Sequence, residues 1–250
     1  MAGSASRSVA RWYKTVDVKT VQSSKYAVTL DQKPILTPKR ASLDLPNPHL
    51  AWAIAIEWEA QQKIVAPHTM PLTKLATIST DQVKDIRQSM VDSMIRAMHT
   101  DVACMRCGKD DPALNEKETK VFDPLLQWAN DKLGLKLLAT DQLMIDQPRE
   151  ATQRASHILA SVDDWELAAL DQVAGTSKSL VLALAVLMRR ISAEEACYAA
   201  RLAEIHQADL WGEVEAGHDL DAADVAVRIS SAATFLRLLA WDKETSIHGL

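Results

Sequence analysis

Residues 180–188 read LVLALAVLM, the longest unbroken apolar run in the 250-residue chain. Nine residues are far fewer than the roughly 20 that a membrane-spanning helix needs. A helix that is apolar on every side is instead typical of a protein interior. The run therefore predicts a central buried helix over Ser177–Met188, with Ser177 as its N-cap and Gly175 separating it from the preceding helix. It predicts no membrane span.

Helical signals continue on both sides of this run. Asp111–Pro112 and Pro148 each favour the start of a helix, since proline is well tolerated in the first turn. Ser192-Ala-Glu-Glu195 is a capping box, in which two side chains satisfy the free N–H groups at a helix start. A stripe of apolar residues at helical spacing predicts a last helix over Asp221–Trp241.

The beginning of the chain has a different pattern. Asp17–Val21 and Tyr26–Leu30 are short, contain β-branched residues and are separated by polar residues, so they predict two strands. Asp31–Pro34 is a predicted turn. Asn47–Pro48 then predicts a helix that runs to about Lys63.

These patterns predict an α+β fold, with a small β-rich N-terminal domain over residues 10–80 and a larger all-helical C-terminal domain over residues 81–245. Charge is distributed unevenly along the chain. Residues 1–45 carry eight Lys and Arg against three Asp and Glu, whereas residues 192–250 carry four against eleven. The basic segment lacks the clustered face that a nucleic-acid-binding protein needs, so no nucleic-acid partner is predicted. Three cysteines cannot form a disulfide framework, which favours a reducing compartment.

Two motifs have residues that could carry out chemistry. Cys104-Met-Arg-Cys107 has the spacing of a metal knuckle or a dithiol, with His99 as the nearest imidazole, and a small metal- or thiol-dependent enzyme is the alternative to a binding protein. A zinc site needs a second ligand pair, however, and no such pair is evident. Gly175-Thr-Ser-Lys-Ser179 matches a phosphate-binding loop only in part. The expectation is therefore a non-enzyme with no metal and no cofactor.

The segment from Glu204 to Asp224 contains seven acidic residues and no Lys or Arg. Glu204, Trp211 and Glu215 would share one helix face if the helix continued through Gly212. One interpretation is a solvated helix face with Trp211 turned into the core. The other is a protein interface, in which an aromatic residue is surrounded by carboxylates that face a basic partner.

Several motifs occur in an order that resembles one protein family, the assembly chaperones of the ATP synthase catalytic head known as assembly factor 2, which bind the unassembled α subunit. The resemblance covers roughly residues 11–240. It rests on Arg11-Trp-Tyr-Lys14, Leu30-Asp-Gln-Lys-Pro-Ile-Leu-Thr-Pro38, Glu57-Trp-Glu-Ala-Gln61, Met70-Pro-Leu-Thr73, Thr100-Asp101, Asp123-Pro-Leu-Leu-Gln-Trp128, Lys178-Ser-Leu180, Trp211-Gly212 and His218-Asp219.

The resemblance implies an α+β fold, no catalysis, no cofactor and the α subunit as partner. It implies that the acidic position in the Trp-Gly-x-x-Glu segment matters most, which corresponds to Glu215. Glu213 and Glu204 are the alternatives, and Trp211 and Asp219 complete the expected partner-binding set. It also favours the mitochondrial matrix, with the bacterial cytoplasm as alternative, and the free protein is expected to be monomeric.

Overall fold

A computed structural model describes residues 9–22, 24–142, 144–212 and 218–241. Short strands are followed by helices, so the α+β prediction is confirmed. The strands are β1 Val9–Ala10, β2 Val16–Gln22, β3 Lys25–Leu30, β4 Lys33–Pro34 and β5 Ile64–Val65. The helices are α1 Pro48–Glu59, α2 Pro71–Asp81, α3 Val83–Ala97, α4 Pro112–Leu133, α5 Arg149–Ser161, α6 Asp164–Ser177, α7 Leu180–Leu187, α8 Ala193–Ala200, α9 Leu202–Trp211 and α10 His218–Leu239.

The chain forms two compact units. Among the described residues, the first unit comprises 9–84 and 237–241, and the second comprises 85–236. The last turn of α10 therefore belongs to the first unit. The division into a β-containing domain over residues 10–80 and a helical domain over residues 81–245 stays a prediction.

In the first unit, β2 and β3, which correspond to the two strands that the sequence predicted, form an antiparallel pair, and β4 pairs with the other edge of β3. The predicted turn follows β3, where Asp31 and Gln32 adopt positive φ angles of 47° and 71°. The side chains of Val28 and Leu30 are buried. Helix α1 packs against β2 and β3.

Helix α1 begins as predicted and ends earlier than predicted. The Asn47 side chain accepts a hydrogen bond from the Leu50 N–H at 2.9 Å, and Pro48 occupies the first turn. The helix ends at Glu59 and not near Lys63 because the Gln61 side chain redirects the chain. Its amide donates to the Glu57 carbonyl and accepts from the Ala66 N–H at 2.7 Å, and the chain then enters β5, which pairs with β1.

In the second unit, the apolar run forms α7, in which Leu180 to Val186 are at most 4% exposed. Leu187 is half-buried, and Met188, which follows the helix, is 45% exposed. Helix α7 packs against α4, α6 and α8, so the prediction of a central buried helix is confirmed. The predicted start at Ser177 is wrong, because α6 continues through Gly175 and ends where Lys178 adopts a left-handed φ of 55°. The N-cap of α7 is Ser179, whose hydroxyl accepts from the Leu182 N–H at 3.0 Å.

The remaining helix starts follow local sequence closely. Asp111 caps α4, which ends at Gly134 with a φ of 68°. The capping box at Ser192 is present with both hydrogen bonds. The last helix starts three residues earlier than predicted and ends at Leu239, two residues before Trp241. No helix within the described ranges is long and apolar enough to cross a membrane.

Candidate partner-binding site

The expected site lies where α9 ends and α10 begins. Helix α9 ends at Trp211, and Gly212 follows with a φ of 85°, a conformation that glycine adopts without steric cost. Helix α9 does not continue through Gly212, so the condition for Glu204, Trp211 and Glu215 to share one helix face is not met. Glu213 and Glu215 themselves lie outside the described residues.

A buried histidine fixes α9 to the start of α4. The ring of His206 is 4% exposed, and its Nε2 lies 2.8 Å from Oδ2 of Asp111. The other carboxylate oxygen of Asp111 accepts the Leu114 N–H at 3.0 Å as the N-cap of α4. Hydrogen bonds from Leu114 and then from His206 hold the pKa of Asp111 below its usual value. Sequence reasoning did not assign this role to His206, although its spacing of four from the buried Leu202 was an available signal.

Bulky apolar side chains are exposed at this place. Trp211 is 78% exposed, Leu210 58% and Leu220 69%. The interpretation in which Trp211 turns into the core is therefore wrong. Tryptophan is a costly residue to leave in water, and contiguous exposed apolar side chains commonly mark protein interaction sites.

Ion pairs neutralise most of the acidic residues that the structure describes in this segment. Arg201 Nε lies 3.2 Å from Glu204 Oε2 and 3.6 Å from Asp221 Oδ2. Lys117 pairs with Asp209 at 3.2 Å, and Arg228 with Asp224 at 3.4 Å. Asp219 has no ion pair within the described part of the chain.

Glu204 and Asp219 are nevertheless brought together. Both line a small hollow of about 90 Å³ between α9 and the first turn of α10. We call this hollow, together with the exposed apolar residues at the end of α9 and the start of α10, the α9–α10 surface. Its members are Glu204, Leu210, Trp211, Asp219 and Leu220. It combines apolar side chains with carboxylates, as the interface interpretation of the acidic segment requires.

The cysteine motif has a different environment. Burial, reinforced by the neighbouring Asp101 carboxylate, raises the pKa of Cys104 to about 12. Burial and the Glu118 carboxylate also raise the pKa of Cys107, whose thiol lies 3.0 Å from the Asp111 carbonyl oxygen. Nucleophilic and metal-binding cysteines act as thiolates, so these contacts do not favour the thiol-dependent alternative. Within the described ranges, no three His, Cys, Asp or Glu side chains form a group that could hold a metal ion.

The Gly175–Ser179 segment leads into α7, and a side chain occupies the N-terminus of that helix. Oδ2 of Asp101 accepts the Leu180 N–H at 2.7 Å and the Val181 N–H at 3.2 Å, and Oδ1 accepts the Ala103 N–H at 2.9 Å. Burial raises the pKa of Asp101, and these hydrogen bonds oppose that effect. The carboxylate occupies the place at the helix N-terminus where a phosphate would bind.

Comparison with known proteins gives consistent matches. The family model described as "ATP12 chaperone protein" matches residues 10–130. The crystal structure of Atp12 from Paracoccus denitrificans is 31% identical and superposes with a TM-score of 0.84, covering 92% of this chain and 98% of that one. A putative chaperone from Agrobacterium tumefaciens is 32% identical, with a TM-score of 0.84 and coverage of 92% and 86%. A protein of Schizosaccharomyces pombe named "Protein atp12, mitochondrial" is 25% identical over 241 residues, which are 92% of this chain and 82% of that protein.

Proposed function

The chain belongs to the ATP12 chaperone family, and from this premise we propose that it binds the unassembled α subunit of the ATP synthase catalytic head. The family prediction made from the ordered motifs is confirmed by these matches. In the proposed function, the chaperone covers the surface of the α subunit that later meets the β subunit, and it releases that surface on assembly.

Binding energy is sufficient for such an activity. A subunit of a permanent complex exposes an apolar interface until its neighbour arrives, and exposed apolar surface promotes aggregation. A protein that covers this surface reversibly keeps the subunit soluble without any covalent step. The observation that carries the proposal is the exposed tryptophan of the α9–α10 surface, since a water-exposed Trp is suited to insertion into an apolar client surface.

The carboxylates supply the preference for a basic client. Asp219 carries a charge that no described cation neutralises. The Glu204–Arg201 pair is partly exposed, and exposed ion pairs contribute about 0–1 kcal/mol, so a client cation can compete for Glu204 at little cost. Glu215 and Glu213 enter the proposal through their positions in the Trp-Gly-x-x-Glu motif, with Glu215 as the first candidate.

Co-expression with the α subunit tests the proposal, with the soluble fraction of that subunit as the readout. We expect Glu215→Lys and Asp219→Lys to lower this fraction severalfold, because a cation then faces the basic client. Asp131→Lys is the matched control, since Asp131 is an exposed aspartate of α4 that does not line the hollow. Thermal melting of each purified variant is measured alongside.

Two outcomes would argue against this assignment. Full rescue by both site variants would show that the acidic segment does not contact the client. A collapse of folding in Glu215→Lys would identify that residue as structural. We further propose that the protein acts in the mitochondrial matrix, with the bacterial cytoplasm as the alternative, and that the free chain is monomeric. Cell fractionation tests the location, and light scattering tests the oligomeric state.

A further inference from the structure

The first unit contains a groove with an almost entirely apolar wall. It has a volume of about 360 Å³, which is within the range of ligand-binding clefts. Trp58, Val65, Met70 and Ile78 form its apolar lining, and Lys74 on α2 stands at its edge. We call it the Trp58 groove.

The hydroxyl groups in the wall are already used internally. Thr73 Oγ1 donates to Glu57 Oε2 at 2.7 Å, and Thr77 Oγ1 donates to the Thr73 carbonyl at 2.8 Å. The two hydroxyl groups therefore have partners within the protein. The apolar surface also continues beyond the groove, because Trp12, which is 60% exposed, packs edge-on against Trp58 with ring centroids 6.2 Å apart.

The acidic residues of α1 and α2, the two helices that contribute to the groove, have partners within the protein. The Glu57 carboxylate accepts the Leu72 and Thr73 N–H groups at 2.7 and 2.8 Å, where it caps α2. Glu59 pairs with Arg11 at 3.3 Å.

Asp81 is engaged as well, since it accepts from the Thr37 hydroxyl and the Lys39 N–H. Lys74 is exposed and has no ion pair or hydrogen bond from its side chain within the described part of the chain. Residues 9–84 as a whole carry ten Lys and Arg against six Asp and Glu. The groove is thus an apolar surface with an unpaired positive charge at its edge.

We propose that the Trp58 groove binds an extended segment of a client polypeptide in which an Asp or Glu lies beside bulky apolar side chains. The apolar side chains enter the groove and remove Trp58 and Ile78 from water, which supplies the affinity. The carboxylate pairs with Lys74, which supplies the preference and the orientation. This site goes beyond the proposed function, because its charge preference is opposite to that of the α9–α10 surface.

Fluorescence anisotropy of two labelled peptides tests the inference on the full-length chain. The probes are acetyl-Leu-Val-Asp-Leu-Val-amide and the same peptide with Lys in place of Asp, each carrying a fluorophore on a glycine linker. We expect the acidic peptide to bind at least fivefold more tightly, and we expect this difference to shrink as salt screens the pair.

Variants of exposed lysines locate the binding. Lys74→Glu should weaken the acidic peptide about tenfold and favour the basic one, since an attraction becomes a repulsion. Lys33→Glu makes the same change of net charge at an exposed position outside the groove and should alter affinity less than twofold. Thr77→Phe, which fills the groove without changing charge, should weaken both peptides.

Several results would overturn the inference: no binding of either peptide, equal binding of both, or equal effects of Lys74→Glu and Lys33→Glu. These outcomes concern the first unit and leave the co-expression results for Asp219→Lys and Glu215→Lys unaffected. Failure of the groove and failure of the α-subunit assignment are therefore distinguishable.

Discussion

Replacing Trp211 with alanine separates the two roles that a tryptophan can have in a binding protein. The side chain is 78% exposed, so about a fifth of its surface contributes to folding. A buried Trp removes roughly 250 Å² from water, and about 50 Å² at ~25 cal/mol per Å² corresponds to about 1 kcal/mol. We therefore expect Trp211→Ala to lower the free energy of unfolding by no more than about 1 kcal/mol.

The effect on client binding should be larger. The exposed part of the side chain, about 200 Å², could contribute up to about 5 kcal/mol if it were fully buried by the client. The loss of side-chain freedom and incomplete burial reduce this ceiling, and tryptophans at interface centres commonly cost 2 kcal/mol or more on truncation. We expect a loss of about 2–3 kcal/mol, which corresponds to a roughly 30- to 150-fold weaker complex.

The assay titrates the chaperone against a fixed amount of co-expressed α subunit and measures the soluble fraction, while urea unfolding gives the stability of each variant. Trp52→Ala is the matched control, because Trp52 is a tryptophan of α1 that is 51% exposed. Unchanged rescue by Trp211→Ala would refute the assignment of Trp211 to the client contact. A loss of unfolding free energy above about 2 kcal/mol would instead indicate a structural role.

Two further predictions concern the interior of the second unit. Asp101→Ala leaves the buried N–H groups of Ala103, Leu180 and Val181 without their acceptor. We expect urea unfolding to show that the free energy of unfolding falls by about 3–5 kcal/mol, and by about half as much in Asp101→Asn, because one oxygen remains. A fall below about 1 kcal/mol in Asp101→Ala would contradict this. Burial raises the pKa of Cys104 to about 12, so its thiolate fraction at pH 8 is on the order of 10⁻⁴. We therefore expect iodoacetamide to modify Cys104 only after the protein unfolds, as measured by peptide mass spectrometry. Rapid modification of the native protein would contradict the burial of this thiol.

Sequence signals were sufficient wherever the deciding contacts are local. The caps at Asn47, Asp111 and Ser192 each bond to a backbone N–H three residues ahead, so the spacing of residues already contains the structural information. The buried helix was predictable for a similar reason, since nine consecutive apolar residues leave no polar face.

The start of that helix was not predictable, because a distant residue determines it. Ser177 and Ser179 are equally good N-caps by local rules. The carboxylate of Asp101, which is 79 residues away from Leu180, accepts the first N–H groups of α7 and selects Ser179. The early end of α1 has a comparable origin, since the Gln61 side chain bonds to the Ala66 N–H as the chain turns into β5.

The charge pattern of the sequence indicated the candidate site, but it did not predict that Trp211 would be exposed. An acidic segment with one tryptophan fits a solvated face and an interface equally, because Trp is common both in cores and at interfaces. The cations that neutralise part of the segment, Arg201 and Lys117, lie outside it in sequence, so a count of charges within the segment overstated the free negative charge.

The two proposed contacts together suggest how a chaperone could hold its client firmly and still release it. As proposed, the α9–α10 surface, which includes Asp219, prefers a basic client region, and the Trp58 groove, which includes Lys74, prefers an acidic one. When two weak contacts are joined in one molecule, the second forms at a high effective concentration, so the joint affinity exceeds either one by orders of magnitude. A competitor that displaces one contact removes this gain, and the client then dissociates at the rate of the remaining weak contact. Asp219→Lys and Lys74→Glu should therefore each reduce client retention more than the loss of one isolated weak contact would, and the double variant should lose little more than either single one.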